Sequence, residues 1–329
     1  MKAFEYAGPT SVDDAVKLLG GSDSSEMLSG GTDLISRMKD YVTSPKRVVY
    51  LKDIKDLAGI TDSRSDGMTI GAGTTLADIL ENKALKTNFP ALWQATLEVG
   101  TPQIRNMATV GGNLLQRPRC WYYRNGHGLL ATKDGKSLVR EGDNRYHSIF
   151  MTEGDALYVN PSSLAVPLIA LGAKATLQGS RGERTVKVED LYQVPKKDGD
   201  RELTIRDDEV LTKVTIPAPR GKNASYEARQ KRAHDWPLVL ASVCVETDGD
   251  KVSRARVVLG SVAPVPLRSE PAEKAITGKA ITMETAAAAA EAAIADAKPL
   301  SMNAYKVALT RTVVKRALLA AAGNRYWEA

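Results

Sequence analysis

Apolar residues recur at two spacings along this chain, and each spacing predicts a different element. Recurrence every three to four residues predicts helices over Asp33 to Lys39, Thr75 to Glu81, Ala91 to Val99, Leu164 to Leu171, Ala272 to Ile276, Met283 to Asp296 and Ala304 to Ala322. A further helix over Ser11 to Leu19 opens on a Ser11/Asp14 capping pattern. Valine-rich or alternating runs predict strands at Met1 to Tyr6, in the run ending at Leu28, at Arg47 to Leu51, Gly59-Ile60, Met68 to Gly73 and Ala173 to Gln178. Others follow at Val210 to Ile216, Val239 to Glu246 and Val252 to Gly260. The run Ala286 to Ala290 is helix propensity, not low complexity.

Interleaved short helices and strands predict an α+β protein, and its punctuation predicts where it divides. A subdomain boundary is expected near residue 58, within a first domain of residues 1–218. The segment Pro217-Ala218-Pro219-Arg220-Gly221 sets the start of a second α+β domain over residues 219–329. From about Pro118 to Asp155 the periodicity lapses into Gly, Arg, Asp and Asn, which predicts a long loop of the functional or mobile kind.

At 329 residues the chain is long for one core, in line with more than one domain. Its 45 basic and 39 acidic residues are intermixed, so the formal charge of +6 suits a small anionic ligand better than nucleic acid, which asks for a concentrated basic face. No window approaches the ~20 apolar residues that cross a bilayer, and the N-terminus lacks a signal-peptide layout. Cytoplasmic is the default location, with export folded onto a signal-bearing partner as the alternative. Cys120 and Cys244 are too few for a disulfide framework or a closed metal site, so no metal ligands are assigned.

Two glycine pairs carry the candidate chemistry. Ser29-Gly30-Gly31-Thr32-Asp33 and Thr109-Val110-Gly111-Gly112-Asn113 each follow an apolar or helical run. Glycine admits positive φ and has no Cβ, so consecutive backbone N–H groups can converge closely on one anion. Thr32, Asp33, Thr109 and Asn113 add side chains that cap or hydrogen-bond, and a diphosphate suits two such turns. There is no HExxH, GxSxG or P-loop lysine, and with three histidines in the chain no catalytic acid or base is assigned.

In their surroundings these turns resemble the paired FAD motifs of the flavoprotein subunits of molybdenum hydroxylases, the xanthine dehydrogenase, aldehyde oxidoreductase and carbon monoxide dehydrogenase family. The resemblance rests on Leu28 to Leu34 and on Thr101 to Leu114. It also rests on Leu259 to Arg268 and on Leu300 to Lys306, and so spans nearly the full length. It implies a two-subdomain FAD module of the vanillyl-alcohol-oxidase-like (PCMH) type and a C-terminal domain of the CO dehydrogenase flavoprotein type. By position, Leu28, Ser29, Gly30, Gly31, Thr32, Asp33 and Leu34, with Thr109, Gly111, Gly112 and Asn113, would hold the diphosphate and ribityl chain. Thr101 and Arg105 would stand close by, and Leu211 would pack against the flavin.

The resemblance further implies a molybdopterin-binding large subunit and a small [2Fe-2S] subunit as partners. Electrons would pass from them through FAD in this chain to an external acceptor. Related loops after Cys120 carry further cysteines for a [4Fe-4S] cluster, but this chain keeps one where four thiolates are needed, so no such cluster is expected. His127 and His147 read as exposed loop histidines. Ser163 stands where relatives have an aspartate, and Ala228 where many have a lysine, leaving Lys231 or Arg229 to supply a charge at the flavin edge. The alternatives are a self-contained FAD oxidase of the same superfold and a scaffold that has lost FAD.

Overall fold

The computed structural model describes residues 1–21, 24–63, 67–231 and 234–328. Strands β1 (Glu5–Ala7), β2 (Ser25–Leu28) and β3 (Arg47–Tyr50) form a parallel sheet in the order β1-β3-β2. Helices α1 (Val12–Gly20) and α2 (Leu34–Lys39) make its crossovers. The Ser11 side chain accepts from the Asp14 N–H, so α1 starts where the capping pattern put it. Its buried stripe, Ala15, Val16 and Leu19, packs with Val49, Leu51 and Val210.

A five-stranded antiparallel sheet follows, ordered β4-β5-β10-β8-β9. Its strands are β4 (Ile60–Ser63), β5 (Gly67–Gly71), β8 (Lys174–Gly179), β9 (Gly182–Lys187) and β10 (Val210–Ile216). Between β5 and β8 run α3 (Leu76–Glu81), α4 (Lys83–Asn88), α5 (Pro90–Leu97), α6 (Pro102–Met107), α7 (Val110–Leu114) and α10 (Ala165–Ala170). Thr75 and Asp78 close a capping box on α3.

The third sheet is an antiparallel meander, β11 (Lys222–Ala228), β12 (Val239–Asp248), β13 (Lys251–Gly260) and β14 (Leu267–Arg268). Strand β12 is buried along most of its length because both faces are covered. Val239, Ala241 and Val243 belong to one core with helices α11 (Glu270–Ile276), α12 (Met283–Ile294) and α13 (Tyr305–Ala321). Leu240 joins the core that holds α10 and the second sheet. The two halves of the chain are thus layers of one packed body.

The long loop contains more structure than its composition predicts. It holds the helical turns α8 (Trp121–Arg124) and α9 (Leu138–Glu141) and the hairpin β6 (Thr132–Lys133) with β7 (Lys136–Ser137). Ile149 and Phe150 enter the core of the third sheet, each side chain worth ~1.5–3 kcal/mol once buried. The Nδ2 of Asn303 donates to the carbonyls of His147 and Ser148 (3.1 and 3.0 Å). Lys306, fully buried, donates from Nζ to the carbonyls of Ser261 (2.6 Å) and His147 (3.0 Å). Burial brings the Lys306 pKa down to about 7, so these bonds are made by a group that is only partly charged near neutral pH.

The histidine expectation is corrected here for His147, which is 2% exposed and has Nε2 3.2 Å from Cys120 Sγ. Burial, reinforced by the Lys306 charge, pushes its pKa down to about 4. The native state therefore holds His147 neutral, whereas the unfolded chain takes up its proton near the ordinary value of about 6.5. Because the unfolded state binds more protons across that window, the His147 contribution to stability is complete above pH ~6.5 and falls toward pH ~4, by at most about 1.4 kcal/mol per pH unit. Urea unfolding of wild type and His147→Gln from pH 7 to 4 is expected to show a shallower acid decline in the variant. Parallel declines would refute the assignment.

Candidate functional site

The two glycine turns meet. Ser29 Oγ lies 3.0 Å from Thr109 Oγ1, a hydrogen bond between residues 80 positions apart. A Cβ on Gly30 would sit 1.9 Å from the carbonyl oxygen of Met107, and Gly31 takes φ +73°. Gly30 is therefore required first by the approach of the other turn, and Gly31 by its left-handed backbone. The backbone N–H groups of Gly30, Gly31 and Thr32 have no partner among the described residues. Three consecutive free donors in a turn form a nest for an anion.

The second glycine pair folds differently from a free turn. Thr109 caps α7 by accepting the Gly112 N–H at 3.2 Å, while the Gly111 N–H donates to the Ala72 carbonyl at 2.8 Å. A Cβ on Gly111 would lie 3.0 Å from that of Ala72, so this glycine lets α7 lie against the chain after β5. The pair thus packs a short helix under the first turn.

Around the joined turns run two lobes of one crevice, sharing Thr32, Asp33, Gly112 and Gln116. The first is closed by Leu51, Leu57, Leu203, Ile205 and Leu211. The second is walled by Asn113, Arg119, Pro161, Ser163, His234 and Trp236. The nest of Gly30, Gly31 and Thr32 lines the first lobe, which also holds Glu26, Arg37 and Arg117, and Thr32 alone of the three reaches the second.

Beneath the nest lies a buried charge cluster that the glycine motifs do not announce. The Asp33 carboxylate meets Arg124 Nη2 (2.7 Å), Arg119 Nη1 (3.2 Å) and Arg37 Nε (3.3 Å), and accepts the Arg117 N–H (3.0 Å). Burial alone would raise its pKa; the guanidinium groups of Arg119, Arg124 and Arg37 outweigh burial and hold it below the usual carboxylate range. Glu26 takes both Arg37 Nη atoms (3.0 and 3.1 Å), and Glu202 takes Arg117. Four guanidinium groups against three carboxylates leave one surplus positive charge beside the crevice.

The structure gathers most of the expected site residues and leaves some outside. Ser29, Gly30, Gly31, Thr32, Asp33, Leu34, Thr109, Gly111, Gly112 and Leu211 line the first lobe. Asn113 and Ser163 line the second; Asn113 Oδ1 accepts Ser162 Oγ (2.9 Å) and the Leu164 N–H (3.2 Å), which shapes the turn carrying Ser163. Leu28 packs instead with Leu34, Met38 and Val48. Thr101 caps α6, and Arg105 donates to the Val99 carbonyl at 2.9 Å, behind the second lobe.

Lys231 is exposed and lines neither lobe. Its neighbour Arg229 is held by Glu98 and Glu227, outside both lobes. Arg232 falls outside the described residues. Residues that the sequence does not assign to the site are Glu26, Arg37, Arg117, Arg119 and Trp236; Arg117 and Arg119 alone leave a signal, a crowding of arginines at 117–124.

A family model described as the FAD binding domain in molybdopterin dehydrogenase matches residues 2–219, and one described as the CO dehydrogenase flavoprotein C-terminal domain matches residues 224–321. The carbon monoxide dehydrogenase medium chain of Hydrogenophaga pseudoflava is 31% identical over 325 residues, covering 97% of this chain and 96% of that one. The aldehyde oxidoreductase FAD-binding subunit PaoB of Escherichia coli is 27% identical over 323 residues, with 97% and 98% covered. Among solved structures, carbon monoxide dehydrogenase from H. pseudoflava lacking the Mo-pyranopterin moiety matches at 29% identity with a TM-score of 0.76, over 98% of each chain.

The meeting of the turns generates a stability prediction. Gly30→Ala is expected to cost about 1–3 kcal/mol or more, since backbone on both sides must give way. Gly154→Ala, where a Cβ meets nothing within 4 Å, is expected to stay within about 0.5 kcal/mol. Equal urea midpoints for the two variants would contradict this geometry.

Proposed function

The chain belongs to the FAD-binding medium subunits of the molybdenum hydroxylase family, and on that premise we propose that it relays electrons between partner subunits and an external acceptor. The donors are [2Fe-2S] clusters of a small subunit, supplied from a molybdopterin-binding large subunit. FAD, when bound, supplies the redox chemistry; the protein sets position, access and potential. The observation that carries this reading is the triple of N–H groups at Gly30, Gly31 and Thr32, without partners among the described residues, which lines the first lobe next to the Ser29–Thr109 hydrogen bond.

Those N–H groups hold the diphosphate, assisted by the Thr32 and Ser29 side chains. Leu211, with Leu51, Leu57, Leu203 and Ile205, excludes water from one ring of the dinucleotide. Asn113 positions Ser163 in the second lobe, where a hydroxyl replaces the carboxylate of relatives and removes a negative charge from its wall. Thr101 and Arg105 would act through the wall formed by Val99, Gly100 and Ile104, which they brace. Cys120 bonds to His147 and takes no part in a cluster, four thiolates being the normal complement.

The visible spectrum of the purified chain before and after acid precipitation tests the reading. The expected result is a yellow protein that releases FAD into the supernatant and contains well under one iron per chain. Flavin left on the precipitate would mean a covalently tethered oxidase, and a colourless protein a scaffold without cofactor. About four irons per chain would restore the cluster. Expressed with its partners, the chain is expected to co-purify with a molybdopterin subunit and a [2Fe-2S] subunit; purification free of both would overturn the relay.

A further inference from the structure

We propose that a cavity separate from the crevice, between α5 and β11, takes a planar cyclic amide, with the carboxyl of Glu227 as the group that recognises it. The inference is independent of the FAD reading, because no residue lining this cavity lines either lobe. The cavity has a volume of about 520 Å³, within the ~300–1,000 Å³ usual for small-ligand sites. Trp93, Tyr226, Trp327, Leu97 and Leu240 give it a largely aromatic and apolar wall.

The facing of Glu227 follows from its strand. Ser225, two residues before it, donates from Oγ to the Ala91 carbonyl of α5 (2.8 Å), and Arg229, two after it, donates from Nη1 to the Glu98 carbonyl (2.7 Å). Side chains two apart on a strand share a face, so Glu227 stands between these two against the end of α5, with Gln94 and Glu98 in the same wall. Its side chain is 7% exposed, and neither carboxyl oxygen has a hydrogen-bond partner among the described residues. A buried polar group left in that state is costly until a ligand supplies the missing bonds.

Arg229 does not supply them. Its guanidinium is taken by the carboxylate and carbonyl of Glu98, and its Nε stays 3.4 Å from Glu227 Oε1, an ion pair without a hydrogen bond. The remaining charged groups around the carboxyl are Asp235 before β12, Lys86 of α4, which stands 4.7 Å from the centroid of the Trp93 ring, and Arg325 near the C-terminus. Burial above all, reinforced by Asp235, pushes the Glu227 pKa up to about 8, so the group is a carboxylic acid at neutral pH. A carboxylic acid presents an O–H donor and a carbonyl acceptor on one planar edge. A cyclic amide presents the complementary N–H and C=O, and the pair closes with two hydrogen bonds and no buried charge. A cationic ligand fits less well, since Lys86, Arg229 and Arg325 already stand in the wall.

The test titrates the full chain calorimetrically with 2-pyridone, with N-methyl-2-pyridone, which lacks the donor, and with benzamidine as a planar cation. At pH 7, 2-pyridone is expected to bind about tenfold or more tighter than either of the others. Its affinity is expected to hold up to pH ~8 and then to fall about tenfold per pH unit as Glu227 ionises. Glu227→Gln, whose amide keeps a donor and an acceptor, is expected to stay within about threefold of wild type at pH 7 and to lose the decline above pH ~8. Glu227→Leu is expected to bind about tenfold or more weaker. A 2-pyridone that binds no better than its methyl derivative, tightest binding by benzamidine, or a Glu227→Gln as weak as Glu227→Leu overturns the inference. The first two outcomes are read on wild type and do not depend on a variant folding.

Discussion

The constraint on which the rest of this structure depends is the buried carboxylate of Asp33. It closes the first glycine turn and is at the same time the anchor for Arg37 of α2 and for Arg119, Arg124 and the backbone of Arg117 in the loop after α7. A carboxylate stripped of such partners in a dry environment costs several kcal/mol, and so does a guanidinium stripped of its carboxylate. The turn and the loop can therefore be buried together far more cheaply than either alone. Asp33 stands in the wall of both lobes, so the same contact sets the floor of the crevice and the position of the loop above it.

That dependence explains how the loop can persist with a single cysteine. The loop is tied to its own chain at both ends. At the near end Arg117, Arg119 and Arg124 lock into the Asp33 and Glu202 carboxylates. At the far end Asn144 receives the Met302 N–H and donates to Ser301, Asn303 and Lys306 cap the carbonyls of His147 and Ser148, and Ile149 and Phe150 enter the C-terminal core. Polar anchors of this kind fix a loop in one register, because an unpaired carbonyl or ammonium in the same place is costly.

What was legible in the sequence follows from how local each feature is. Helix α1 begins at its Ser11 cap and α3 at Thr75, and β10 spans Val210 to Ile216, because capping and periodicity are written within a few residues. Helix α7 was read as a turn because two glycines in five residues argue against a helix, yet Thr109 caps it and Ala72 packs on Gly111. Strand β9 is a polar edge, and β11 (Lys-Asn-Ala-Ser-Tyr-Glu-Ala) lacks an apolar face of its own, so neither shows without its neighbour. In the site, glycines were visible because nothing else fits them. The arginines were not, since an arginine in a polar loop looks like solvent-exposed surface until a carboxylate some 85 residues away is placed against it.

The C-terminal domain then has a physical part in the crevice although it contributes none of the glycine motifs. Its segment 234–238, just before β12, brings Trp236 over Arg119 and His234 against Gly100, whose carbonyl accepts the His234 N–H at 3.2 Å. His234 takes φ +55°, a conformation costly for a side-chain-bearing residue and sustained only where surrounding contacts impose it. The second lobe is consequently assembled from the first glycine turn, the residues around α6, the stretch from α7 to Arg119, the turn carrying Ser163 and the entry to β12, and its shape depends on how the third sheet is seated. Lys306 helps seat it by joining the Ser261 carbonyl at the end of β13 to the His147 carbonyl of the loop. Access and charge at the lobe are in this way coupled to packing on the far side of the molecule, which a cofactor held only by two glycine turns would not feel.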